Sequence, residues 1–394
     1  MKKSTFKAIL SFPAYLFILL LLTHCKQEKS GKAQAESTPT AAFEIKKSDY
    51  GKMPDGQAVE QYILKNPQGM EIAVITYGGI ITSWTAPDKA GKYENVVLGF
   101  DSLSQYVANN PYFGAIIGRY GNRIAKGQFK LGKATFQLEN NDGPNHLHGG
   151  VKGFDKVVWQ AFPQQDSTAV SLVLKYVSAD GEGGYPGKLY CTVTYLLDND
   201  NALHVAYEAV TDKETIVNLT QHSYFNLSGN FSNTILDHEL MMAADQYLPV
   251  DVTLIPTGEL APVAGTPFDF TTAKAIGRDI NTTDEQLERG RGYDHCWVLN
   301  NPGSMRQVAS VTHPATGRRL EISSNEPGLQ FYCGNFLDGT LPMPGGGTYG
   351  HRTGFCLETQ HYPDSPNQYS FPSVLLRPGE KYSSATVFKF LVAE

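Results

Sequence analysis

The 394-residue chain is short of charge, of cysteine and of long apolar runs. Charged residues make up 18 % of it, with a formal net charge of -6. No dense lysine and arginine block follows the first few residues, which argues against a nucleic-acid surface. Of the five cysteines, Cys191, Cys296, Cys333 and Cys356 are widely spaced in apolar, strand-like contexts and form no Cys-x-x-Cys pair. That pattern supplies no zinc site and reads as buried free thiols. No internal repeat is evident, which argues against a propeller or a solenoid. The one long apolar run, "AILSFPAYLFILLLL", has about 15 residues, fewer than the ~20 that a spanning helix needs.

What is present begins with that run. Lys2, Lys3 and Lys7 precede it and Cys25 closes it, the order of an export signal. An apolar core ending at a cysteine resembles a bacterial lipoprotein signal, which implies lipidation of Cys25, although His24 stands where a small residue is usual. Residues 1–24 are therefore expected to be a signal peptide. The polar stretch "KQEKSGKAQAESTPTAA" makes 25–42 a flexible tether. The expected location is outside the cytoplasm, periplasmic or cell-surface, with the membrane reached only through the lipid. No comparable break follows Phe43, so 43–394 is expected to be one domain.

Within that domain the alternation has a period of two. In "LYCTVTYLL", Leu189, Cys191, Val193, Tyr195 and Leu197 are all apolar, and Leu203, Val205, Tyr207 and Ala209 alternate with polar or small neighbours. Such runs predict half-buried antiparallel strands. Similar ones lie near 72–76, 171–177, 308–313, 355–359 and 385–392, punctuated by clusters such as "GEGGYPG" and "LPMPGGG". Only "SLSQYVANN" and "TDEQLERG" read as helices, both short. So many strands in one domain must stack large sheets to bury their faces, which predicts an all-β, large antiparallel β-sandwich.

Five segments break the strand pattern by setting polar side chains beside glycine or aromatic residues. They are "IGRYGNRIAKGQF", "NHLHGGVKGFDKVVW", "NLTQHSYFNLSG", "GYDHCW" and "CLETQHYPD". In the last, Glu358 looks like a carboxylate near a strand end, costly to bury without a purpose. In the third, Asn218, Gln221, His222, Ser223 and Asn226 crowd together with Tyr224 and Phe225. So many buried polar groups need either a full hydrogen-bond network or a polyhydroxylated ligand. Aromatic faces mixed with amide, imidazole and carboxylate groups suit a sugar. His146 and His148 of "HLH" would share one strand face, with no third metal ligand nearby in sequence, so no metal is expected.

Taken together, "GRYGNRI", "LHGGVKGFDKVVW", "LTQHSYFNL", "YDHCW", "PGLQFYCGNFLDG" and "LETQHYPDSPN" resemble, in order and spacing, the aldose 1-epimerases or galactose mutarotases. The resemblance covers about Glu44 to the C-terminus. It implies a large antiparallel β-sandwich that interconverts the α and β anomers of free hexoses without a cofactor. It places the general base on Glu358, the general acid on His222 and a second active-site histidine on His148. It places sugar-hydroxyl ligands on Asn122, Arg123, Asp294 and Gln330. Gln221 departs from the family's more usual asparagine. Two other classes share parts of this pattern. A glycoside hydrolase needs two carboxylates, with Asp294 as the candidate second, and a tethered glycan-binding protein needs no acid–base pair.

Overall fold

The alternation seen in the sequence becomes sheet. The computed structural model describes residues 42–393; the expected signal peptide, Cys25 and the tether before Ala42 lie outside the described residues. Leu189–Asp198 turns Leu189, Cys191, Val193, Tyr195 and Leu197 inward, and its intervening side chains stay partly or fully exposed. It pairs with Ala169–Ser178 on one side and Ala202–Thr211 on the other. A slip of one residue would turn all five apolar side chains to water, so the burial fixes the register. Each such side chain contributes roughly 1.5–3 kcal/mol when fully buried.

These strands belong to a nine-stranded antiparallel sheet that continues through Tyr382–Val392, Arg318–Ser324 and Arg306–Thr312. Two five-stranded sheets share its core. The first runs from Glu44–Lys52 to Tyr93–Asn95. The second contains Asp294–Val298, Gly328–Tyr332 and Cys356–Gln360 side by side. The expected sandwich is thus present, with one large sheet and two smaller ones where two large sheets were anticipated. The two sequence helices appear at Leu103–Ala108 and Glu285–Gly290. Asp284 caps the second by accepting from the Gln286 and Leu287 N–H groups. Cys191, Cys296, Cys333 and Cys356 are buried and free.

Two features position the site. Phe225, three residues beyond His222, exchanges backbone hydrogen bonds of 2.7 and 2.9 Å with Phe355, three residues before Glu358. Trp84 packs edge-on against Phe225, Phe388 and Phe390, at 5.7, 5.9 and 5.4 Å between ring centroids, tying that bridge to the large sheet. Asn218 is the second clamp. Its side-chain oxygen accepts from His361 N–H, while its nitrogen donates to the Gly121 and His361 carbonyls.

The "HLHGG" loop is held just as closely. Gly149 has φ +89°, and a Cβ there would lie 1.9 Å from the Gly118 carbonyl oxygen. Gly149→Ala is therefore expected to cost more than about 1 kcal/mol of stability and to displace His148. Denaturant unfolding read alongside activity checks this; unchanged values for both would show that the loop does not need glycine.

Candidate active site

Three adjacent strands bring carboxylate and amide groups to one face of a sheet. Glu358 is the third of five residues in Cys356–Gln360, all of them buried, so the expected strand-end carboxylate lies mid-strand instead. Gln330 is its cross-strand partner, and Asp294 lies diagonally beyond on the next strand. Gln330 Nε2 donates to Asp294 Oδ1 at 2.7 Å. Glu358 Oε2 and Gln330 Oε1 are buried acceptors with no protein partner, and a ligand's hydroxyls would satisfy them.

His222 ends the short strand Thr220–His222, which pairs with Ala115–Ile117. The Phe225–Phe355 bridge brings it alongside Glu358: His222 Nε2 lies 3.4 Å from Glu358 Oε1, with the two residues only 4 % and 2 % exposed. Its Nδ1 is 3.5 Å from the Cys356 thiol. Tyr112 packs against both histidines, at 4.6 Å from His148 and 5.7 Å from His222 between ring centroids.

Asn122 and Arg123 come from the "GNRI" turn. Asn122 has φ +65°, a left-handed conformation that asparagine tolerates by bonding locally, and its Oδ1 accepts from Arg123 N–H. Arg123 Nε donates to Asp142 Oδ2 at 2.8 Å, and its Nη1 lies 3.8 Å from Asp294 Oδ2. The guanidinium is thus suspended between two carboxylates, facing the pocket. His148 and Asn122 hold each other: His148 N–H donates to the Asn122 carbonyl, and Asn122 N–H donates to His148 Nδ1.

All seven expected residues, Glu358, His222, His148, Asn122, Arg123, Asp294 and Gln330, line one open cavity of about 220 Å³. Pro111, Tyr112, Phe336 and Leu341, more exposed than those seven, also line it. The expectation that His146 and His148 share a face is corrected here. His148 has φ +52°, which breaks the strand and turns the two rings apart. His146 bonds instead to the Glu139 carbonyl and the Tyr185 hydroxyl, away from the cavity. Sequence reasoning missed Asp142, Tyr112 and Cys356. Asp142 had a signal in the "NDGPN" turn just before "HLH"; the contacts of Tyr112 and Cys356 exist only in the fold.

Burial governs the electrostatics. It pushes the Glu358 carboxyl well above the usual carboxylate range, Asp294 pushes it further, and Arg123 opposes both. Burial lowers His222 to about 4. It also drives His148 well below the usual histidine range, helped by His222 and Arg123. A histidine protonated near its ordinary value of roughly 6.5 is therefore not what the free protein holds. Both shifts favour a protonated Glu358 beside a neutral His222 over the ion pair.

The ligand atoms of His148, His222 and Glu358 lie within 4.8 Å of one another, close enough to be tested as a metal site. Because His148 Nδ1 accepts a backbone N–H, the neutral ring carries its proton on Nε2 and has no free lone pair. That leaves fewer than the three protein ligands of a usual catalytic zinc. A second cluster, Asp237, His238 and His313, fails for the same reason. His238 Nε2 accepts from Leu227 N–H, so its Nδ1–H points at Asp237.

A shared proton held dry beside hydroxyl-binding groups is equipment for moving protons on a sugar, and with this sandwich it defines a sugar-handling acid–base enzyme. The family model for aldose 1-epimerase matches residues 60–389. A galactose mutarotase from Rattus norvegicus is 47 % identical over 350 residues, covering 89 % of this chain and 99 % of the relative. An aldose 1-epimerase from Escherichia coli strain K12 is 40 % identical over 341 residues, covering 86 % and 97 %. The crystal structure of a galactose 1-epimerase from Lactobacillus acidophilus NCFM superposes with a TM-score of 0.79 at 33 % identity, covering 90 % of this chain and 100 % of that one. The chain belongs to the aldose 1-epimerase family, enzymes that exchange the α and β anomers of sugars.

The raised Glu358 carboxyl has a consequence for stability. A folded pKa above the unfolded value gives stability that is full below the unfolded pKa and declines as pH rises toward the folded one. Glu358→Gln removes that decline. Its thermal midpoint should match wild type near pH 4 and exceed it near pH 8. An equal loss of stability at both values would show that the carboxyl is not penalised by burial.

Proposed function

We propose that Glu358 and His222 open and reclose the ring of a free aldohexose such as glucose or galactose. The observation carrying this reading is their 3.4 Å approach at the floor of a pocket that also holds Arg123, Asp294 and Gln330. In the reactive form the shared proton is on His222 and Glu358 is the carboxylate. Glu358 takes the proton of the C1 hydroxyl, the C1 carbonyl forms, and the bond from C1 to the ring oxygen breaks. His222 delivers its proton to that oxygen. Rotation about C1–C2 presents the other carbonyl face, and the reverse transfers close the ring. Protons and bonds balance within sugar and pair, so the step calls for no cofactor.

His148, held as the Nε2–H tautomer, serves as a neutral donor toward the sugar. Arg123 and Asp294, with Gln330 and Asn122, fix the hydroxyls, supplying orientation rather than proton transfer. The hydrogen bond that Asp294 accepts from Gln330 and its approach to Arg123 favour that holding role over service as a hydrolase's second carboxylate. Retention of an acid–base pair weighs against a purely binding function.

Polarimetry on freshly dissolved α-glucose and α-galactose tests the assignment. Glu358→Gln and His222→Asn should each lose about 10²-fold or more of the acceleration, the usual worth of a placed acid or base, and His148→Asn should lose less. Either of the first two retaining more than about a tenth of wild-type acceleration would contradict its role.

We further propose that the enzyme is exported and anchored through a lipidated Cys25. The basic start, the short apolar core and the cysteine at its end support this reading. Two or more acyl chains suffice for stable anchoring where one is marginal. Anomers would then be exchanged outside the cytoplasm. Labelled palmitate fed to bacteria expressing the full chain should mark the wild type and not Cys25→Ala. An unlabelled, freely soluble wild type would overturn the anchor.

A further inference from the structure

One strand meets both nitrogens of the His222 ring. Cys356 and Glu358 are two residues apart on Cys356–Gln360, so their side chains leave the same face of that strand. His222 stands against that face, with Nε2 3.4 Å from Glu358 Oε1 and Nδ1 3.5 Å from Cys356 Sγ, within reach of a hydrogen bond to sulfur. Cys356 is fully buried. The proton transfers described above use Nε2 and leave Nδ1 and the thiol without a task.

The direction of the contact follows from the proton that Glu358 and His222 share. For Glu358 to pass that proton across, Nε2 must offer a lone pair. The neutral ring then keeps its own proton on Nδ1, and that N–H donates toward Cys356 Sγ. Burial pushes the Cys356 thiol well above its ordinary range and Glu358 adds to the shift, so the acceptor is an uncharged sulfur and not a thiolate. A thiol sulfur accepts only weakly. Acid–base histidines are often held at this nitrogen by a carboxylate or a carbonyl, which stabilises the imidazolium. A weak acceptor orients the ring without stabilising its charged form, so protonated His222 gives up its proton readily. The other titratable rings around it, His148, Tyr112 and Tyr224, lie 5.2, 5.7 and 5.1 Å away between centroids. His148 Nδ1 and the Tyr224 hydroxyl bond elsewhere, to Asn122 and the Pro111 carbonyl. The competing acceptor is the carbonyl of His222 itself, which already accepts from Gly114 N–H at 3.0 Å.

Resting on the reading of His222 as the acid, we propose that Cys356 is a positioning residue for the reaction. Its sulfur, a weak neutral acceptor for Nδ1–H, keeps Nε2 turned to Glu358 and keeps His222 a strong acid. Cys356 does not line the cavity and acts only through His222.

Two measurements test this. Nitrogen-15 NMR of the wild type labelled in histidine should find the neutral His222 proton on Nδ1; a proton on Nε2 would overturn the proposal. The second compares kcat, KM and the pH dependence of kcat/KM for anomer exchange in wild type, Cys356→Ala and Cys356→Ser. Cys356→Ala should lower kcat about 3–10-fold with KM unchanged, the worth of one modest hydrogen bond. Cys356→Ser, whose oxygen accepts more strongly, should restore most of that loss and raise the acid limb of the profile by about half a pH unit. Equal losses in the two variants, or an acid limb that Cys356→Ser does not raise, would reduce Cys356 to packing and overturn the proposal. His222→Asn leaving the rate intact would instead overturn the acid reading, and this role with it.

Discussion

A carboxyl group buried 3.4 Å from a buried imidazole is the constraint around which this molecule is arranged. Neither Glu358 nor His222 can easily become charged alone in that environment, because desolvation penalises both ions. Burial therefore favours a neutral pair that shares one proton over two separated charges. A hydroxylated ring laid against Glu358 Oε2 and Gln330 Oε1 supplies partners that the protein does not. A hydroxylated ligand would complete the hydrogen bonding of the site as it enters, and the same contacts would favour the Glu358 carboxylate over the neutral acid.

Holding such a pair together demands rigidity that the local sequence alone would not give. The Phe225–Phe355 backbone bridge sets the His222 strand against the Glu358 strand, and Trp84 packs that bridge onto the nine-stranded sheet. Asn218 ties both to the "GNRI" turn. Around the cavity, Tyr112, Asn122 and His148 all adopt positive φ, a conformation that non-glycine residues hold at some cost. The surrounding hydrogen bonds, such as the mutual clasp of Asn122 and His148, keep that cost affordable. Rigidity here serves function directly, since a shift of about 1 Å in placement can cost on the order of 10²-fold in rate.

How much of this was legible in the sequence depends on how local the cause is. The inward set Leu189, Cys191, Val193, Tyr195 and Leu197 was readable because strand burial follows a period of two. The seven site residues were readable because they sit in compact motifs that resemble a known family, and the fold brings all seven to one cavity. The divergence of His146 and His148 was hidden, because nothing in "HLH" announces a left-handed backbone at the second histidine. Glu358 looked like a strand-end residue because a nearby proline and aspartate signal a turn, yet the strand extends through Gln360. Asp142 was passed over because its "NDGPN" context is sufficient to explain an aspartate in a turn. The depressed His222 could not be foreseen at all: a pKa set by burial is a property of the packed molecule.

The most direct test of a buried, one-proton pair is the pH dependence of kcat/KM for anomer exchange, from about pH 3.5 to about pH 9, after subtraction of the buffer rate. Such a profile reports the apparent pKa values of the pair in the free enzyme. The account predicts a level rate through slightly acid and neutral pH. The acid limb should fall near 4, where His222 gains its proton beside an already protonated Glu358. The basic limb should lie well above the ordinary carboxylate range, where the pair loses its only proton. An acid limb near 4.5 paired with a fall in activity near 6.5, the ordinary values for a solvated glutamate and histidine, would contradict it.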